Sequence, residues 1–383
     1  MRIVFLTRTL GRAGAQRQLV LLARGLKARQ HDVSVIVLYP GGSFTSDLED
    51  AGIQVINLRR SGRWDLLRII KSVNDVVTGL APDVIHGYLE TPNILAAIAG
   101  RRAGVGKIIF GIRASRIDYR QYDWAIRIMN FLERRYSRFA TSIIVNAQAT
   151  EKFLRLSGYP PEKIEVIPNG IDTRGFTRDL VRRASLRTKW GIPLDVPVVG
   201  IVARFDPKKD HRCFLEAASI VHRLRPEVHF VSAGIAEGDG LERFKQMASE
   251  YGLSGKISLV SPESDVAGIY SALDVLCSSS AFGEGFPNVI AEAMSCGVPV
   301  VATDCGDSAY IVGDTGIIVP IADARSLANG LLEILSQDRG ELGRRARQRI
   351  EENFAVERLI DGTERVLLGE GEKALAGSAL IGS

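Results

Sequence analysis

The sequence is poor in cysteine, with only Cys213, Cys277, Cys296 and Cys305 in 383 residues, all in the second half and none in a C-x-x-C pair. That excludes a disulfide scaffold or a zinc knuckle as the organising device, and a reducing cytosol is the expected compartment. Long hydrophobic runs are also lacking, since no apolar stretch approaches the roughly 18 residues of a membrane span. Met1 to Thr7 is a short apolar segment without the longer core and cleavage site of a signal peptide. The expectation is a chain that neither crosses a membrane nor enters a secretory route. No internal repeat, low-complexity block or D-x-D pair occurs.

What is present is burial material. A hydrophobic content of 46%, 24% charged residues and 38 glycines describe a globular protein with many tight turns. The length favours two domains. The net charge of +5 is unevenly spread, with 26 Lys+Arg against 15 Asp+Glu up to residue 175 and 23 against 29 beyond it. Much of the excess lies between Arg113 and Arg138, where arginines alternate with Trp124, Ile126, Ile128, Met129, Phe131 and Leu132. A pI near 9.0 is accompanied by no nucleic-acid reading motif or aromatic platform, so nucleic acid is not an expected partner.

Strand-like and helix-like segments alternate along the chain. Strands are predicted at Arg2 to Thr7, Asp32 to Tyr39, Gln54 to Leu58, Val84 to Gly87, Lys107 to Ile112 and Ser142 to Val145. Helices are predicted at Gln16 to Arg29, Trp64 to Leu80, Asn93 to Arg102 and Ala149 to Leu156. A second series starts at the strand Pro197 to Ala203. Repeated βα units imply an α/β fold of two Rossmann-like, doubly wound domains facing a cleft. The expected bounds are 1–175 for the first domain and 176–354 for the second. The helix at about 355–369 is a candidate to pack back on the first, and 370–383 reads as a flexible tail.

In such sheets, ligands bind outside the carboxyl ends of the strands, so the loops there are where function is sought. Gly11-Arg12-Ala13-Gly14-Ala15-Gln16 ends on a helix N-terminus suited to a phosphate, and it also fits a plain βα turn. Ala203 to His211 puts Arg204 and Lys209 at a strand end, a fork and a point charge that suit a diphosphate. A solvated charged loop would read the same. Ser280 to Glu292 carries Gly283, Gly285 and Pro287, which fix an open loop feeding a helix, and two carboxylates, Glu284 and Glu292, that can accept from hydroxyls. Glu292 also fits a surface residue that stabilises the helix dipole.

These loops resemble the family-four retaining glycosyltransferases with the GT-B fold. Glu284 to Glu292 matches the family's E-x7-E motif, and Asp83-Val84-Ile85-His86 its fourth-strand segment. Val166 to Asp172 matches its interdomain signature, Arg204 and Lys209 its diphosphate-binding pair, and Ala293 to Thr303 its continuation past the second Glu. The resemblance runs from about Arg2 to Glu364. It implies that the Gly14 amide, Arg204 and Lys209 hold the donor diphosphate. Glu284, with the amides around Gly285, Phe286 and Asn288, would hold the donor sugar, and Glu292 the ribose. One departure is the segment Gly111-Ile112-Arg113-Ala114-Ser115, where the family often has a histidine. Arg113 there is a candidate catalytic cation, or a ligand for an anionic acceptor. His86 fits a hydrogen-bonded core histidine.

The implied activity is transfer of a sugar, with retention, from a nucleotide-sugar donor to a hydroxyl of a glycan or lipid-linked acceptor, in cell-surface polysaccharide or glycolipid synthesis. No cofactor and no metal are expected, because the cations can neutralise the departing diphosphate. An arginine-rich helix within Arg113 to Arg138 could rest on an anionic membrane surface, giving a cytoplasmic protein peripheral at the inner face of the cell membrane. A GT-B-fold nucleotide-sugar epimerase and a non-catalytic nucleotide-sugar binder are the alternatives.

Overall fold

The computed structural model describes residues 1–11, 13–58, 66–113, 124–262 and 265–370. The chain divides into two compact units, Met1–Gly170 together with the stretch from Val356, and Ile171–Ala355.

The first unit is built on seven parallel strands: β1 (Arg2–Thr7), β2 (Asp32–Val37), β3 (Gln54–Asn57), β4 (Val84–Tyr88), β5 (Lys107–Ile112), β6 (Ser142–Val145) and β7 (Ile164–Val166). Their order is β3-β2-β1-β4-β5-β6-β7. The intervening helices are α1 (Gly14–Ala28), α2 (Thr45–Glu49), α3 (Leu66–Leu80), α4 (Glu90–Arg102), α5 (Trp124–Ser137) and α6 (Gln148–Leu156). β1 shows why the sheet is covered on both sides. Ile3 and Phe5 enter one core and Val4 and Leu6 another, so the strand reads as an unbroken apolar run.

The second unit repeats the plan with β8 (Val198–Val202), β9 (His229–Ala233), β10 (Ile257–Val260), β11 (Val275–Ser278), β12 (Val300–Thr303) and β13 (Ile317–Val319). The order is β10-β9-β8-β11-β12-β13, all parallel. Its helices are α7 (Leu180–Lys189), α8 (His211–Leu224), α9 (Asp239–Glu250), α10 (Val266–Ala272), α11 (Asn288–Ser295), α12 (Ser308–Val312), α13 (Ala324–Ser336) and α14 (Arg339–Asn353). The last helix, α15 (Val356–Leu368), belongs to the first unit, where Leu359, Ile360 and Leu367 join the core beside α1. In each sheet the strand order reverses once, between β1 and β4 and between β8 and β11. Those switch points are where a doubly wound sheet leaves room for a ligand.

Several elements depart from the sequence expectation. α7 was not predicted, because three arginines interrupt its apolar pattern. Asp179 caps it by accepting from the Val181 and Arg182 amides, both at 2.9 Å. Arg187 is fully buried, bonding Asp274 at 2.7 Å and the Ala272, Leu194 and Val196 carbonyls. Arg183 holds the other Asp274 oxygen at 2.7 Å. Burial alone would raise the Asp274 pKa, yet the two guanidiniums and the Val198 amide hold it below the usual aspartate range. α14 begins at Arg339, because Asp338 caps the Gly340 and Glu341 amides. The predicted start of α3 at Trp64, and the tail beyond Glu370, lie outside the described residues. Among the described residues no helix is long and apolar enough to cross a membrane.

Candidate active site

At the switch point of the second unit, two loops are tied to one another. After β8 the chain passes Arg204 and enters a single 3-10 turn, Pro207–Lys209, whose start is fixed by Asp206 accepting from the Lys208 amide at 3.0 Å. Asp210 follows in the left-handed region (φ 43°) and caps α8 by accepting from the Cys213 amide at 3.1 Å. The loop after β11 docks on this turn. The Ser279 hydroxyl donates to the Lys209 carbonyl at 2.7 Å, and the Ala281 amide donates to the Lys208 carbonyl at 2.8 Å.

This lacing brings the Lys209 ammonium to 2.6 Å from Oε1 of Glu284. The Ser280 hydroxyl donates to the same oxygen at 3.0 Å. The second Glu284 oxygen takes no hydrogen bond from the described residues, so it remains available to accept from a hydroxyl. Gly283 (φ 72°) lies against the Lys208 side chain, and Gly306 approaches the Glu284 and Gly285 carbonyls so closely that any Cβ would lie 2.6 Å from them. Phe286 is buried, with its ring 5.5 Å from that of Phe354.

Pro287 stands at the N-cap of α11 and brings no side-chain acceptor to it. That helix start keeps the partial positive charge that suits an anion. Glu292 is not the surface residue that its place near the helix start allowed. It is 4% exposed, and the buried Tyr270 hydroxyl donates to its Oε2 at 2.9 Å. Arg204 is exposed, and no hydrogen bond or ion pair engages its guanidinium among the described residues. Its carbonyl accepts from Nε2 of His211 at 2.9 Å. Burial lowers the His211 pKa, which keeps the ring neutral and able to donate from one nitrogen only.

In the first unit, α1 starts at Gly14. Its N-cap is Ala13, which has no side chain to cap with, and no acid occupies the first turn. Arg12 lies outside the described residues. At the ends of β4 and β5, Arg113 donates through one terminal nitrogen to the Tyr88 hydroxyl at 2.8 Å and through the other to Oδ1 of Asn169 at 3.2 Å. Its guanidinium also lies 4.8 Å from the centre of the Tyr88 ring. Leu89, next along, turns the chain into α4 with φ 72° and ψ 174°, a conformation that glycine normally supplies.

His86 is fully buried between Phe5 and Tyr88, but among the described residues neither ring nitrogen has a hydrogen-bond partner, contrary to the core reading of that residue. Burial, reinforced by Arg113, pushes its pKa far below 6.5 and keeps it neutral. Beneath β5, Asn93 brackets Gly111 by exchanging hydrogen bonds with its amide and carbonyl, and it also donates to the buried Glu133 at 2.7 Å.

Tyr88, Tyr270, Ser280 and His211 were not singled out from the sequence. Tyr88 had a signal, since it stands two residues after His86 on one face of β4. Tyr270 had none, because its partner is 22 residues away on another helix.

Comparison with known proteins gives a consistent family. The model for "Glycosyltransferase Family 4" matches residues 12–174, and that for "Glycosyl transferases group 1" matches residues 182–353. A D-inositol 3-phosphate glycosyltransferase of Corynebacterium urealyticum is 30% identical over 263 residues, covering 66% of this chain and 58% of that protein. One of Mycobacterium bovis is 32% identical over 233 residues, covering 58% of this chain and 47% of its own length. The chain thus spans about half the length of these relatives. Among solved structures, Anabaena HepE in complex with UDP superimposes with a TM-score of 0.84 at 22% identity, over 96% of this chain and 100% of that one. That similarity is one of fold.

Proposed function

This chain belongs to the group 1, family 4 glycosyltransferases, and from that membership we propose that it moves a sugar from a nucleotide-sugar donor to a hydroxyl of a glycan or lipid-linked acceptor, with retention of configuration. The observation that carries the reading is the Lys209–Glu284–Ser280 cluster at the switch point of the second sheet. Glycosyl transfer builds negative charge on the departing diphosphate, so fixed positive groups there stabilise the transition state. Lys209 and Arg204, whose guanidinium nothing engages among the described residues, supply that charge, and the Gly14 amide at the start of α1 is a separate donor suited to an anion. Glu284 holds sugar hydroxyls, with the amides around Gly285, Phe286 and Asn288, and Glu292 holds the ribose.

The acceptor hydroxyl attacks from the leaving-group face, and a diphosphate oxygen takes its proton as the bond to the sugar forms. The cations perform the neutralisation that a metal would otherwise supply. HepE was solved with UDP, which makes a uridine nucleotide the first donor to try.

α5 supports a membrane-peripheral setting at the cytoplasmic face. Arg127, Arg134 and Arg135 are exposed beside Ile128 at 47% and Phe131 at 56% exposure, an arginine-rich face with apolar side chains suited to anionic headgroups. Residues 114–123 of the basic stretch, including Arg116 and Arg120, lie outside the described residues.

The test is product analysis with UDP-, GDP- and ADP-sugars. A transferase releases nucleoside diphosphate and forms a glycoside only with acceptor present. Conversion of donor alone into an isomer would make the protein an epimerase, and no turnover with any of the three would leave it a binder. Co-sedimentation with liposomes that is indifferent to anionic lipid would remove the membrane part.

A further inference from the structure

Arg113 is a half-buried cation without a counterion among the described residues. Among the described residues no carboxylate pairs with it, and the two oxygens that hold it, the Tyr88 hydroxyl and the Asn169 amide oxygen, are neutral. The other unit treats buried arginine differently, since Arg183 and Arg187 share Asp274 at 2.7 Å each. Removing a guanidinium from water without opposite charge is costly, so an anion that reaches it is strongly favoured.

The holder is rigid. Tyr88 is 1% and Asn169 4% exposed, and Gly170, next to Asn169, is clamped by two hydrogen bonds with the buried Gln18 at 2.9 and 2.8 Å. Neutral anchors fix the direction of the guanidinium and leave its charge intact. The cluster lies at the carboxyl ends of β4 and β5, beside the switch point of the first sheet and the glycine-like turn at Leu89. His86, fully buried behind it with both ring nitrogens unpartnered among the described residues, adds a second unsatisfied polar group.

We infer that Arg113, oriented by Tyr88 and Asn169, is the receptor for a phosphoryl group carried by the acceptor. The inference rests on the transferase reading above and names the chemical class of its acceptor. Phosphate fits better than carboxylate because a fork of N–H groups is supplemented by the Tyr88 hydroxyl, whose proton has no acceptor among the described residues. Burial raises the Tyr88 pKa, so that proton is retained. The phosphoryl group can belong to a soluble polyol phosphate or to a lipid headgroup.

Isothermal titration of the full chain at fixed ionic strength separates these sources. The probes are glycerol 1-phosphate, glycerol, micelle-free short-chain phosphatidylglycerol, and UDP as a donor-side control. Binding of glycerol 1-phosphate at least tenfold tighter than glycerol, lost in Arg113→Ala and partly kept in Arg113→Lys, supports a soluble phosphate. The same dependence seen only with phosphatidylglycerol supports a lipid-borne one. Tyr88→Phe, which keeps the ring and removes the holder, is expected to weaken the same probe about three- to tenfold with UDP affinity unchanged. The inference is overturned if neither phosphate probe depends on Arg113, or if Arg113→Ala weakens UDP as much as phosphate, which would move the arginine to the donor side. If wild-type protein binds the phosphate probe and no nucleotide, the donor-site reading fails and the anion site stands.

Discussion

The Lys209 ammonium and the Glu284 carboxylate meet at 2.6 Å, and Ser280 donates to the same carboxylate oxygen at 3.0 Å. Both side chains are only partly exposed, at 22% and 14%, so each depends on the other for its remaining charge compensation. Lys209→Ala and Glu284→Ala are each expected to lower kcat/KM by roughly 10²–10³-fold. The double variant should fall little further, because the residues act as a unit. Full transfer rates in both single variants would move the donor site elsewhere.

Tyr270→Phe removes one hydrogen bond from Glu292 without opening a cavity. The expected cost is about 1 kcal/mol of nucleotide affinity, a roughly fivefold rise in Kd, with the melting temperature nearly unchanged. Titration with nucleoside diphosphate reads this directly. An unchanged Kd would mean that the orientation of Glu292 does not depend on Tyr270.

Glu133 should give the first unit an unusual pH dependence. Its carboxyl is buried between α4, which brings Asn93 and Glu90, and Tyr159, and burial together with Glu90 pushes its pKa up to about 7, against the two hydrogen bonds from Asn93 and Tyr159. A carboxyl that holds its proton more tightly when folded contributes stability at low pH and loses it as pH rises from about 4.5 to about 7. Glu133→Gln lacks the titration, so relative to wild type it should gain on the order of 2 kcal/mol between pH 5 and pH 8. The buried histidines His86 and His211 act in the opposite sense, losing stability as pH falls below 6.5, and are common to both proteins. Denaturant unfolding at four pH values gives the difference, and parallel curves would show that Glu133 titrates normally.

Gly25 in α1 faces Ile360 of α15, and a Cβ there would overlap the Ile360 side chain. Gly25→Ala favours the helix intrinsically by about 1 kcal/mol. Overpacking at this contact should outweigh that gain and leave a net loss of roughly 1–2 kcal/mol. A rise in melting temperature would show that α15 yields at this point.

The sequence alone determined the alternation of buried strands with amphipathic helices, and with it the two doubly wound sheets, because a strand covered on both faces must be apolar throughout. Ile3 to Leu6 carries that message unaided. It also located the informative loops, since glycine, proline and charged residues concentrate where strands end. The tertiary structure alone decided which of those residues touch. Lys209 and Glu284 are 75 positions apart, and their bond exists because Ser279 and Ala281 dock one loop on the other. α7 was hidden because burying Arg187 depends on Asp274, 87 residues away. Arg113 could be seen in the sequence as a departure from the family, whereas its neutral partners, Tyr88 and Asn169, are a property of the fold around it. Local pattern follows from the period of each element, but charge compensation is settled by neighbours that only folding brings together.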